Sequence, residues 1–147
     1  MPKVNLINMT MILKKILKLL GMETYTIPLE SFREQFGNMA QLEWKVVKVQ
    51  TPRGTIRTYK TFPITEVHCL NDAGETVILS MKPSLEMRIT NDRGRRSIFY
   101  LDKIRIENDI LTGGQSRQLG FIQKTIDLST VRKIEIQDGK KAYKYLK

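Results

Sequence analysis

From Leu42 onward the chain alternates apolar and polar residues in short runs broken by turn residues, the period of antiparallel strands with one buried face. "LEWKVVKV" reads as a strand, Pro52-Arg53-Gly54 as its turn, and "TIRTYKTF" as the returning strand. "ITEVHCL" and "TVILS" flank Asn71-Asp72-Ala73-Gly74, whose glycine can take positive φ, and predict a second hairpin. In "LEMRIT", Leu85, Met87 and Ile89 alternate with Glu86, Arg88 and Thr90; Asn91-Asp92-Arg93-Gly94 then turns the chain into "RRSIFYL", a third hairpin. "KIRIE", "ILTGG", "FIQKTIDL" and "VRKIEIQ" continue the pattern, and Asp138-Gly139 predicts a two-residue turn that folds "KKAYKYL" back onto "VRKIEIQ". Residues Ile98 to Leu101 are apolar at every position, which predicts a bulge near Asp102 or a strand covered on both sides. The pattern predicts a mainly β fold of about nine short strands, an antiparallel meander forming a small barrel or sandwich.

Before Leu42 the period is helical. In "MILKKILKLLG" (11–21), at a turn near 100° per residue, Ile12, Leu13, Ile16, Leu17, Leu19 and Leu20 share one broad face and Lys14, Lys15 and Lys18 group opposite. This is a basic amphipathic helix with Gly21 as its C-terminal cap and Lys18 at the negative end of its dipole. Lysines interrupt the apolar run too often for a secretory signal, and the run is far short of the roughly 20 apolar residues of a membrane span. The stripe either closes the end of a sheet core, the preferred reading, or lies on a membrane surface or in a partner groove. Residues 1–10 read as a flexible leader, and Met9, Met11 and Met22 leave the start residue open. "IPLESFREQFGNM" (27–39) predicts a second short helix, with Ser31 as N-cap, Glu34 as its capping-box partner, and Phe32 and Phe36 on one face. The expected organisation is a helical N-terminal segment over 11–40 and an antiparallel β domain over 41–147, within one compact domain.

A chain of 147 residues can bury a sizeable core without disulfide or metal, and 41% apolar with 27% charged residues of mixed sign is a folding composition. Cys69 is the one cysteine, so no intrachain disulfide forms, and the lone His68 beside it cannot complete a zinc site. Both read as structural, with Cys69 in phase with Val67 and pointing into the core. The net charge of +10 is concentrated, with +4 over residues 1–21, +3 over 81–100 and +4 over 140–147. Such a surplus favours anionic partners, whether nucleic acid, acidic lipid headgroups or an acidic protein face, without choosing among them.

Candidate chemistry is sparse. "RGRRSIFY" departs from the RNA-recognition signature at its third position, where Arg95 stands for an aromatic, and no helical period follows residue 40. A hairpin end carrying Arg93, Arg95 and Arg96 is the simpler reading, with nonspecific phosphate contacts as its alternative. "TGGQSRQLG" (112–120) lacks the order of a phosphate loop and precedes strand-like residues, so a loop or bulge is expected. His68 has no triad context, and Glu30 and Glu34 on one helix face read as a solvated surface. No catalytic, cofactor-binding or metal-binding residue is assigned.

"YTIPLESFREQF", "TPRGTIRTYKTFPITEVHCLNDAGETV", "PSLEMRITNDRGRRSIFYLDKI" and "VRKIEIQDGKKAYKY" together resemble a group of small uncharacterised β-rich bacterial proteins, many of them envelope lipoproteins. The resemblance runs from Tyr25 to Tyr145 and implies a fold and a place at the cell envelope rather than a reaction. Those relatives begin with a signal ending in a lipid-accepting cysteine; this chain has Met22 at that place, in "LLGM".

The expectation is therefore a noncatalytic binding or structural module, not an enzyme. Its partner would be a protein or an anionic membrane surface, contacted through Arg93, Arg95, Arg96, Lys14, Lys15 and Lys18. The alternative is a nonspecific nucleic-acid binder using the same basic patches. Without a signal peptide the location reads as cytoplasmic; the resemblance places it at the envelope.

Overall fold

The computed structural model describes residues 23–38, 43–61, 64–115, 123–139 and 142–146; the leader and the amphipathic helix expected over 11–21 lie outside these. In chain order the elements are β1 (Thr24–Thr26), α1 (Leu29–Phe36), β2 (Lys45–Gln50), β3 (Ile56–Thr61), β4 (Glu66–Leu70), β5 (Thr76–Ser80), β6 (Leu85–Asn91) and β7 (Arg96–Tyr100). A 3-10 turn at Leu101–Lys103 leads to β8 (Ile104–Glu107) and β9 (Ile110–Gly114), followed by β10 (Gln123–Asp127), β11 (Val131–Asp138) and β12 (Lys144–Leu146).

Three of the hairpins share one turn. Thr51, Asn71 and Asn91 stand twenty residues apart, as do Gly54, Gly74 and Gly94. In each turn the glycine N–H donates to the carbonyl of the first residue (2.9–3.0 Å), and the first residue's N–H donates to the carbonyl of the fifth (2.8–2.9 Å). The glycines take φ of 84°, 78° and 77°, where a side chain would be strained, so this loop matches the right-handed twist of its strands only with glycine at that place. The β8–β9 connection is tighter: Asn108 and Asp109 both take positive φ (53° and 61°), a two-residue turn that residues with short polar side chains tolerate.

The hairpins do not form a meander. The largest sheet runs β5-β4-β1-β11-β6-β7, with β1 and β11, from opposite ends of the described chain, inserted between two local hairpins. Two three-stranded sheets, β10-β9-β8 and β12-β2-β3, complete the antiparallel fold. Twelve strands are therefore described rather than about nine, and no sheet among them closes into a barrel, because β5 and β7 are free edges of the large sheet. The turn expected at Asp138-Gly139 also fails. Both edges of β11 are occupied, by β1 (Tyr25↔Ile136) and β6 (Met87↔Ile136), so the C-terminal strand pairs β2 instead, with Tyr145 opposite Val49.

Alternation sets the core as expected: Val67 and Cys69, Met87 and Ile89, Ile134 and Ile136, and Phe99 are all buried on one face of the large sheet. Phe32 and Phe36 of α1, with ring centroids 4.9 Å apart, and Ile104, Ile106 and Leu111 of β8–β9 belong to the same core. The helix starts at Leu29, after Pro28 at φ −58°, so Ser31 sits inside its first turn and the capping box does not form. Ser31 Oγ instead accepts from Gln35 Nε2 (3.0 Å). Gln35 does more: its Oε1 accepts from the His68 N–H (2.8 Å) and its Nε2 donates to the His68 carbonyl (2.7 Å). Because β1 meets β4 only at Thr26↔Leu70, the Gln35 amide stands in for the missing strand. Asp102 lies neither at a bulge nor in a doubly covered strand; the 3-10 turn carries the chain from the large sheet to the β8–β9 layer. Thr112 to Gly114 belong to β9, not to a loop, and residues 116–120 lie outside the described residues.

Gly113 is needed for close packing. A Cβ there would lie 2.5 Å from Phe99 Cδ1 and 3.2 Å from Ile104 Cγ2, so the β9 backbone rests directly on the Phe99 ring. Gly113→Ala is expected to destabilise the protein by about 1–3 kcal/mol, the usual range for overpacking a filled core, measured by urea denaturation. An unchanged midpoint would show that Phe99 can move aside freely.

Candidate functional site

Of the residues singled out from the sequence, Lys14, Lys15 and Lys18 lie outside the described residues. Arg93, Arg95 and Arg96 are exposed at the β6–β7 turn. Asn91 Oδ1 accepts from the backbone N–H of Arg93 (3.0 Å) and Arg95 (2.9 Å), which fixes the loop and leaves the side chains in solvent. Within the described residues none of the three makes an ion pair. This is the hairpin tip that the pattern suggested.

The topology builds a second cationic surface that the sequence pattern does not show. Residues opposite each other in an antiparallel pair share a face. In the β12-β2-β3 sheet, Val49 faces Arg57 and Tyr145, and Val47 faces Tyr59. These belong to the face turned toward the rest of the protein, where Val49 and Thr61 are buried. The opposite face carries Val46 beside Lys60, Lys48 between Thr58 and Leu146, and Gln50 between Ile56 and Lys144. Lys48, Lys60 and Lys144 thus alternate with Val46, Ile56 and Leu146, and Val46 and Ile56 are more than half exposed, at 59% and 57%. These three strands contain no Asp or Glu, and within the described residues none of the three lysines makes an ion pair. Counting charge along the chain hides this surface, since residues 22–50 carry −1 and 51–80 carry 0. Only the pairing of β12 with β2 brings Lys144 to Lys48.

The sheet is fastened at Asp102, a buried carboxylate in the 3-10 turn between β7 and β8. Tyr145 Oη of β12 donates to Asp102 Oδ2 (2.6 Å), Tyr59 Oη of β3 donates to the same oxygen, and Thr61 Oγ1 of β3 donates to the Asp102 carbonyl. Lys103 Nζ lies 5.3 Å from the centre of the Tyr59 ring, a cation–π contact. β7 separates Arg96 at one end from the 3-10 turn of Asp102 at the other, and its four residue steps span roughly 13 Å at about 3.3 Å each. The arginine tip and this joint therefore sit at opposite ends of β7.

The described part of β12 ends at Leu146, opposite Lys48 of β2. A cleft of about 530 Å³ lies there, lined by Lys45, Val47, Lys48, Ile64, Met81 and Leu146 among others. A smaller hollow of about 370 Å³ sits under Trp44 on the β8–β9 surface, where Arg105 is paired with Glu107 (2.7 Å).

The remaining candidates have structural partners. Cys69 is 2% exposed, its Sγ donating to the Val77 carbonyl (3.6 Å), while the neighbouring His68 points to the opposite face, 3.9 Å from Glu66. Glu30 meets Arg33 (2.5 Å), which also grips both oxygens of Asp109 (3.0 and 2.9 Å) and so ties α1 to the β8–β9 turn. Among the described residues no cluster of His, Cys, Asp or Glu could hold a metal ion, and no helix is long and apolar enough to cross a membrane. No protein-family model, curated protein or solved structure matches the chain.

Burial pushes the Tyr25 hydroxyl up to about 12, aided by Glu23, whose carboxylate accepts its proton at 2.9 Å. Burial likewise pushes the Cys69 thiol up to about 11, with Glu23 adding to the effect. Both groups are neutral when protonated and hold their protons more tightly when folded. Their contribution is complete below the unfolded values of 10.0 and 9.0 and is lost as pH rises through the folded ones. Urea midpoints should hold to about pH 9 and fall steadily toward about pH 12, and Tyr25→Phe should flatten the part of the fall above about pH 10. A midpoint constant from pH 8 to pH 11 would contradict the assignment.

Proposed function

We propose that this chain is a noncatalytic binding module that lays the outer face of the β12-β2-β3 sheet on an anionic lipid surface at the bacterial cell envelope. One observation carries the reading: three lysines without an ion pair among the described residues, interleaved with exposed Val46 and Ile56 and half-buried Leu146 on strands without carboxylates. Lysines of this kind attract acidic headgroups, each contributing about 1 kcal/mol near the surface, and aliphatic side chains between them can enter the interfacial layer. Aliphatic residues cannot stack bases as aromatic platforms do, which favours lipid over single-stranded nucleic acid. The second reading, nonspecific contact with nucleic-acid phosphates, rests on the exposed Arg93, Arg95 and Arg96.

Vesicle co-sedimentation separates the two. The protein should bind vesicles containing phosphatidylglycerol and not phosphatidylcholine alone, and binding should weaken with salt. The triple variant Lys48→Gln, Lys60→Gln, Lys144→Gln should lower partitioning by about 100-fold, since three contributions of about 1 kcal/mol are lost. Replacing Arg93, Arg95 and Arg96 with Gln should have a much smaller effect. Absence of vesicle binding, with duplex DNA bound through the arginines, would favour the nucleic-acid reading.

A further inference from the structure

The cleft beside Leu146 combines two features. It is concave, and at about 530 Å³ it falls within the roughly 300–1,000 Å³ of sites that enclose small ligands. Its walls are also split by chemistry. Val47, Ile64, Met81 and Leu146 supply apolar surface, while Lys45 and Lys48 stand exposed beside them, with no ion pair among the described residues. Met81 is held in place by its N–H, which donates to the Thr65 carbonyl (2.8 Å) at the base of the β4–β5 hairpin. Leu146, opposite Lys48 in the β12–β2 pairing, forms one side of the cleft.

We infer that this cleft is a binding site for a single-chain anionic amphiphile, a fatty carboxylate whose chain lies against Val47, Ile64 and Met81 and whose head meets Lys45 and Lys48. The charge of the two lysines selects the head, since an ammonium head on the same chain would be repelled where a carboxylate is drawn in. The apolar wall selects the chain, since a short carboxylate gains the charge contact but buries no methylenes. The site shares Val46, Lys48 and Leu146 with the outer face but not Lys60 or Lys144, so variants at the latter two separate it from the membrane reading.

Isothermal titration calorimetry of the full chain tests this with dodecanoate, dodecyltrimethylammonium and acetate, each below any micelle-forming concentration. Dodecanoate should bind saturably at one site, dodecyltrimethylammonium at least tenfold more weakly, and acetate not measurably. Lys45→Glu, an exposed substitution, should weaken dodecanoate at least tenfold, and Met81→Trp should block it by filling the cleft. Lys60→Gln with Lys144→Gln should leave dodecanoate binding unchanged even where vesicle binding falls. Should Met81→Trp fail to fold, Lys45→Glu alone decides. Equal binding of the two dodecyl probes, uptake without saturation, or full affinity in the Lys45→Glu variant would overturn the site.

Discussion

The fold turns on one buried carboxylate. Asp102 sits where the chain leaves the six-stranded sheet for the β8–β9 layer, and the β12-β2-β3 sheet hangs on it through Tyr59, Thr61 and Tyr145. All three sheets thus meet within the reach of a single residue. Hydrogen bonds to charged groups contribute about 1.5–3 kcal/mol each, and a tyrosine hydroxyl left unsatisfied in a buried place is costly. The inner face of the small sheet buries Val49 and Thr61, whereas Lys45, Val46, Lys48, Ile56, Arg57, Thr58, Lys60 and Lys144 are all exposed. Polar fastening takes the place of a wide apolar contact, and it leaves the opposite face free to carry lysines and aliphatic residues.

Local features were legible in the sequence. The Pro-Arg-Gly turn and the two Asn-Asp-x-Gly turns each close a hairpin within the chain itself, and period-two alternation through Val67 and Cys69, Met87 and Ile89, and Ile134 and Ile136 identifies the buried face. The Phe32–Phe36 pair follows from helical spacing in the same way. What sequence pattern cannot carry is pairing between distant segments. The Asp138-Gly139 signal is locally sound, yet β11 is already flanked by β1 and β6, and no local rule reports that. The same limitation hid the lysine face, whose members at 48 and 60 fall in nearly charge-balanced stretches and whose member at 144 falls in a strand that the local turn signal assigns to β11. Gly113 and Gly114 likewise suggest a loop until Phe99 is seen against the β9 backbone.

Charge is distributed so that its roles are separable. One ion pair fastens elements, Arg33 of α1 to Asp109 of the β8–β9 turn, while Arg105 and Glu107 pair within β8 itself. Among the described residues, the cations without an ion pair include those of the β6–β7 tip and of the outer face of the small sheet. Exposed pairs contribute little to stability, and unpaired lysines contribute less, so neither surface is explained by folding alone.

Hydrogen exchange of the Asp102→Ala variant tests this most directly. If Asp102 fastens the lysine-bearing sheet, amides of residues 45–61 and 144–146 should lose protection while those of 85–91 and 131–138 in the large sheet keep theirs. Uniform loss of protection across both sheets, or none in either, would contradict the view that one carboxylate holds the lysine-bearing sheet to the core.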